Sequence, residues 1–400
     1  MTKSEYKSMV VLVIDGLYAN MLGPYGNTNV KTSNLNRLAA EGVLLENLIG
    51  RSPDFSTAVS TLLSTSTGSW LEELGDGGVR TVMMTDEERM EPFGQDFEEW
   101  ITLFSEEPPI LAENIEGTRM ARFFAQATEW IRNLERGSLG WLHCKGLFDD
   151  WDAPYAFRRA LADSEDPDPP DFSRCPHGDI LNGEDPDKLL AIQQAWAAQI
   201  AIMDQFVGIL YQQLRATEVG RDCLFCLTSL RGFPLGEHQV VGNGSTLDVK
   251  ILNNESVHLP FFLVFPEDSV WDAYRGIRAA NLIQPDWVGA LLKTWFQSDF
   301  HAFNETLEKI AHPLPQKQNE YAVSRSDRQY SLQTHAWKLI SSLDNDESEL
   351  YVKPDDLWES NDVSRRCRGI VEQMQELFGA LSRQIETDFE IPEDLCQPMD

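Results

Sequence analysis

The hydroxyls of Ser56 and Thr57, in RSPDFSTAVSTLL, and the imidazoles of His143 and His238 are the side chains best suited to attack an ester or carry a proton. A hydroxyl becomes a nucleophile only when a base or a metal lowers its pKa. No Ser-His-Asp ordering, glycine-rich phosphate loop or HExxH motif supplies such a partner here. Asp54 and Ser56 also have a structural reading, as caps of the helix that follows. Asp54 adds negative charge at the helix end that would otherwise welcome an anion. His238, in PLGEH, reads as a loop histidine with general base as the alternative, and His143 at a strand end is ambiguous in the same way. Cys223 and Cys226 form a CxxC inside RDCLFCLTS. That segment has a buried-strand pattern, which puts the two thiols on opposite faces as packing groups rather than as a redox or zinc pair. The carboxylates of residues 162–187 lack the spacing of an EF-hand calcium loop.

These groups need a scaffold, and the apolar runs supply one. Val10–Ile14, Arg80–Met84, Gly140–His143, Leu224–Thr228 and Phe261–Phe265 read as central strands. Helical patterns lie between them: Asn34–Glu41 capped by Ser33 and stopped by Gly42, Met120–Glu135, and Lys188–Thr217 with Trp196, Met203 and Leu210 on one stripe. Alternating strands and helices predict an α/β fold, a mostly parallel central sheet flanked by helices. A weak stretch near 315 separates residues 1–315 from a small C-terminal α+β subdomain, 316–400. That subdomain carries short strands and an amphipathic helix at Ser364–Ile385.

The chain holds 33 basic and 64 acidic side chains, a formal charge of −31. That field repels phosphates, so nucleic acid and anionic membrane are not expected partners. No apolar run approaches the roughly 20 residues that cross a bilayer. MVVLVI is followed at once by Asp15, which reads as a core strand rather than a signal peptide. A cytoplasmic location is expected.

Residues 9–63 resemble the opening of a sulfatase, in the alkaline phosphatase superfamily, and further matches follow in family order. VLVIDGLYANMLGPYGN looks like the first strand and metal loop, and TSNLNRLAAEGVLLEN like the helix after it. RSPDFSTAVSTLL corresponds to the nucleophile segment, and LTSLRGFPLGEHQVVGNGS to the second metal motif, T-S-D-H-G, with its trailing G-K-G. HLPFFLVFPED, HAWKLI and ELYVKPDDLWESNDVS match the late strand, the R-x-x-K-L-I strand and the C-terminal L-Y-D-L-x-x-D-P-x-E motif. The resemblance implies the family's fold over nearly the whole chain.

It also implies a site from which the chemistry has gone. The family sets a formylglycine at a helix start beside a cation held by carboxylates; here Phe55 stands at that position. Thr57 and Val59 replace the proline and arginine behind the nucleophile, and Asp15 and Gly16 replace the paired metal aspartates. Leu230 and Arg231 replace the aspartate and histidine of the second motif. Asn243 stands for the lysine of G-K-G, and Asp152, in LFDDWDAPY, for a histidine. His143, Asp152, Arg231 and Asn243 are therefore read as vestiges of a substrate cleft and Asp15 as a vestigial metal ligand. Arg231 has two readings, a replacement for the cation that pairs with Asp15 and a surface arginine in a loop. No catalytic residue and no cofactor is expected, and a pseudoenzyme with a binding or assembly role follows. The alternatives are an ester hydrolase using Ser56 or Thr57, with His238 in reserve and a reduced Ca or Mg site, and a protein-interaction module. The partner, a small anionic ligand or a protein, stays open.

Overall fold

The computed structural model describes residues 7–383 and 395, apart from 66–67, 106–108, 149, 164, 180–185, 244–250, 297–299 and 312–319. The five apolar runs become five adjacent strands at the middle of one eight-stranded sheet. In chain order the strands are β1 (Ser8–Ile14), β2 (Val43–Ile49), β3 (Arg80–Thr85), β4 (Glu99–Thr102), β5 (Ser138–Cys144), β6 (Cys223–Thr228), β7 (His258–Val264) and β8 (Ile277–Ile283). Their spatial order is β8-β2-β7-β6-β1-β5-β3-β4. All neighbours run parallel except β7, which is antiparallel to both β2 and β6. The continuous apolar character of β1 and β6 follows from burial on both faces. Cys223 and Cys226 do fall into separate cores on opposite sides of the sheet. Burial pushes the Cys223 thiol up to about 12, which suits packing and not redox work.

Helices α1 (Ser33–Glu41), α3 (Arg119–Arg132) and α4 (Pro186–Ala216) share one core with that sheet; α2 (Phe55–Leu63), α5 (Pro285–Phe296) and α6 (Phe300–Ala311) share the other. Asp54 caps α2 by accepting from the Thr57 amide at 3.0 Å. The expected Ser33 cap of α1 is a correction: Ser33 is already the first helical residue, and Thr32 before it makes no side-chain cap bond. Instead Asp204 reaches over from α4 and accepts from the amides of Asn34 at 3.1 Å and Leu35 at 2.9 Å, and from the Asn34 side chain at 3.0 Å. Gly208, one turn further along α4, makes room, because a Cβ there would lie 2.2 Å from the Asn34 side-chain oxygen. We expect Asp204→Ala to destabilise the protein by about 1–3 kcal/mol in chemical denaturation, since it orphans buried amide donors.

A second sheet follows, the antiparallel meander β9 (Tyr321–Arg325), β10 (Gln329–Thr334), β11 (Trp337–Ser342) and β12 (Ser348–Val352). Helix α7 (Arg368–Ser382) covers one face, with Ile370, Met374 and Leu377 against Leu332, Leu339 and Leu350. The other face, through Ala322, Ile340 and Tyr351, rests on Ile49, Val257 and Leu282 of the main sheet's surroundings. The boundary read near 315 and the end of the terminal helix at Ile385 lie outside the described residues. Among the described residues no helix is long and apolar enough to cross a membrane.

Candidate functional site

The C-terminal ends of β1, β5 and β6 define the site, the usual place for chemistry in an open α/β sheet. The amide after β1 donates from Asp15 to the Cys144 carbonyl at 3.0 Å, and Gly16 donates to the Arg231 carbonyl at 3.1 Å. The loop beyond β6 is fixed by the Ser229 hydroxyl, which donates to that same carbonyl at 2.8 Å. Asp15 and Arg231 are thereby brought face to face.

Arg231 grips the Asp15 carboxylate through both arms. Its Nε lies 3.2 Å from each carboxylate oxygen, and one terminal nitrogen lies 3.0 Å from Oδ2. Asp15 is fully buried and Arg231 nearly so. The guanidinium also stacks 3.6 Å over the Phe148 ring and lies 5.4 Å from the Phe55 ring. A second arginine, Arg89, lies 4.2 Å from the Phe55 ring centre, with a nitrogen 3.9 Å from Asp15 Oδ2. Glu87 holds Arg89 in place with bonds of 2.9 and 2.7 Å. Burial alone would raise the Glu87 carboxyl, but Arg89 holds it down to about 2.

Phe55 is 4% exposed and occupies the first turn of α2, with both cations near its ring. Its ring meets His143 edge-on at 5.9 Å. His143 is buried on β5, and neither ring nitrogen has a hydrogen-bond partner among the described residues. Burial lowers its pKa to about 4, against the pull of Asp15 and Glu87, so it stays neutral near pH 7.

A divalent cation does not fit these residues. Ca²⁺ or Mg²⁺ needs several oxygen ligands, and the one carboxylate of the first loop already carries a guanidinium. A second cannot be added at Gly16, whose φ is +85° and whose Cβ would lie 2.9 Å from the backbone of Leu147 and Phe148. Among the described residues no three His, Cys, Asp or Glu side chains converge as a metal site.

The other predicted residues lie apart from this cluster. Ser56 and Thr57 are exposed, on the far side of α2 from its buried Phe55–Ala58–Val59–Leu62 face, and the Thr57 hydroxyl donates to Asp54 at 3.1 Å. Asp152 is buried and accepts from the Arg119 amide at 2.7 Å and the Gln199 side chain at 3.3 Å, roles that shape its own loop. Asn243 sits on the rim, its amide donating to His177 at 3.1 Å; His177 in turn contacts Phe148. His238 belongs to the seam with the second sheet, between Glu255 and the Glu359 carbonyl. Sequence reasoning missed Arg89, Glu87 and Phe148. The segment TVMMTDEE carried no recognisable motif, and Phe148 lies in the same LFDDWDAPY run as Asp152.

No family model matches the chain, and no curated protein matches it significantly by sequence. Its shape does have relatives among solved structures. The phosphonate monoester hydrolase of Agrobacterium radiobacter is similar at a TM-score of 0.72 and 13% identity, over 94% of this chain and 95% of that one. BT1596, a 2-O glycosaminoglycan sulfatase, reaches 0.69 at 12% identity, over 95% and 93%. BT4656, solved with its substrate D-glucosamine-2-N,6-O-disulfate, reaches 0.69 at 14%, over 97% and 100%. The chain therefore shares the fold of these sulfatase and phosphonate hydrolase structures, with an arginine–aspartate pair where the C-terminal ends of β1 and β6 meet.

Proposed function

We propose that this protein is a pseudoenzyme of the sulfatase fold, which acts by binding or assembly and not by ester hydrolysis. The observation that carries the reading is Arg231 itself: its positive charge lies on Asp15, where a cation would have to be coordinated. A bound dication lowers the pKa of an attacking hydroxyl and neutralises charge on the transferred group. A guanidinium can neutralise charge, but it has no vacant orbital to accept a lone pair, so it cannot coordinate an attacking hydroxyl as a dication does. Phe55 completes the change by presenting a ring at the start of α2, where attack on an ester requires a heteroatom. A partner of this fold would meet its outer surface, because the cluster of Asp15, Phe55, His143 and Arg231 is buried.

The test is turnover of nitrophenyl sulfate and nitrophenyl phosphate with added Ca²⁺ or Mg²⁺, alongside Ser56→Ala and Thr57→Ala. We expect wild type and both variants to match the uncatalysed rate and to bind neither cation stoichiometrically. Metal-dependent turnover abolished by either substitution would establish a hydrolase instead.

A further inference from the structure

The seam between the main sheet and the C-terminal meander contains a buried polar network that converges on one short loop. Glu359, fully buried and held at a φ of +55°, accepts from Lys338 Nζ and Lys353 Nζ, both at 2.8 Å on one carboxylate oxygen. Its other oxygen accepts from the Asn254 amide at 3.0 Å, in the short helical turn Asn254–Val257 of the main body. The Asn254 side chain donates to the Leu357 carbonyl at 3.0 Å and accepts from Lys338 at 3.0 Å. Asn20, just beyond β1, donates to the same Leu357 carbonyl at 3.3 Å. His238 completes the set, with one ring nitrogen 2.5 Å from Glu255 and the other 2.9 Å from the Glu359 carbonyl.

We propose that residues 353–359 form a latch that docks the C-terminal meander on the sulfatase-fold body, with the doubly protonated His238 ring as its pin, so that the latch loosens as His238 loses its proton. Only the imidazolium can donate from both ring nitrogens at once. Once the His238–Glu255 pair has lost a proton, so that the ring is neutral and Glu255 ionised, the ring must abandon either the Glu255 carboxylate or the Glu359 carbonyl. The inference stands whether or not the protein turns over an ester.

The charges facing His238 favour the protonated ring. Glu255 comes from the helical turn, Glu237 from its own loop, and Glu359 from the latch. Lys353 and Lys338 are the opposing charges, and both are spent on Glu359. Tyr18 donates to Glu237 at 2.7 Å and Tyr351 to Glu349 at 2.8 Å; burial raises both phenols, so neither ionises below the alkaline limit. Burial opposes the charge on His238, yet Glu255 and Glu359 outweigh it and push its pKa up to about 9. A raised pKa contributes stability that is complete below the unfolded value of about 6.5 and is lost as pH rises to about 9. Glu359, which burial would raise but Lys338 and Lys353 hold at about 2, keeps its charge across that window. The loop that would be released bears Leu357 and Trp358, 37% and 42% exposed, so latch opening alters how that apolar pair is presented.

Amide hydrogen exchange on the full chain from pH 6 to 10, corrected for intrinsic rates, tests the latch. We expect protection of the 353–360 peptide to fall by up to about ten-fold per pH unit between about 6.5 and 9. The β6 amides should keep theirs, and His238→Gln should flatten the profile. A flat wild-type profile, an unchanged slope in His238→Gln, or parallel loss in β6 would overturn the proposal. Should His238→Gln fail to fold, an NMR titration of the wild-type ring decides: a midpoint above 8 supports the latch and one below 8 overturns it.

Discussion

Asp15→Ala should destabilise the protein by about 3–5 kcal/mol, because it strands the Arg231 charge in a site closed to water. An ion pair on the surface would be worth only about 0–1 kcal/mol, so the size of the effect reports the burial. The nearest substitute partner for Arg231 is not available: Glu87 is committed to Arg89 by two bonds, and His143 is held neutral. Adding Arg231→Met to Asp15→Ala should recover much of the loss, since an apolar side chain of similar length can fill the space against Phe148 and Phe55. Recovery will be incomplete by about 1–2 kcal/mol, the worth of a desolvated cation over an aromatic face. Urea denaturation of the two single variants and the double variant closes the cycle. A loss under about 1 kcal/mol in Asp15→Ala, or a midpoint that climbs with added Ca²⁺ or Mg²⁺, would mean that Asp15 serves a cation and not an arginine.

The middle of the sheet was legible because it is buried on both faces. Strands β1, β3, β5, β6 and β7 are short apolar runs, and burial on two sides demands that pattern. Strands β2, β4 and β8 escaped the reading. VLLENLI carries Glu46 and Asn47 at its centre, IRAANLI carries Arg278 and Asn281, and EWIT lies on an outer edge with Trp100 nearly half exposed. Glu46 and Arg278 pair with each other across these strands at 2.7 Å, a use of polar residues that one-dimensional periodicity cannot register. The same limit applied to the cap of α1, where the acceptor lies 170 positions away on α4.

In the site, the sequence named Asp15, Phe55, His143 and Arg231, and the structure brings those four together. It did not name Arg89 or Phe148, which complete the enclosure of Phe55 and Arg231, because neither falls in a motif that specifies a role. Nor did it separate His238 from the cleft. LGEH adjoins the segment read as the counterpart of a second metal motif, yet the turn at Gly236 sends His238 toward the meander and leaves Arg231 behind. Once the Asp15 carboxylate is neutralised by an internal arginine, an apolar ring next to it is stable. Phe55 and Arg231 depend on each other in physical terms: the guanidinium neutralises the carboxylate beside the ring, and the ring helps to enclose the guanidinium.

Glu359→Gln should cost about 3–5 kcal/mol at neutral pH, the largest effect outside the cleft. The amide has nearly the shape of the carboxylate but no charge, and two ammonium groups, one of them fully buried, would then face it unpaired. Acid supplies an independent check. The two lysines hold Glu359 at about 2 in the folded chain, from an ordinary 4.5, despite the burial that would raise it. A depressed carboxyl pKa gives stability that is present above about 4.5 and drains away as pH falls toward 2. The stability gap between wild type and Glu359→Gln should therefore stay constant from neutral pH down to about 4.5, then narrow by about 1.4 kcal/mol per pH unit. A gap that ignores pH in that range would assign the loss to altered packing in the latch. One that narrows as stated assigns it to the charge, and makes Glu359 the residue that fastens the meander to the body of the fold.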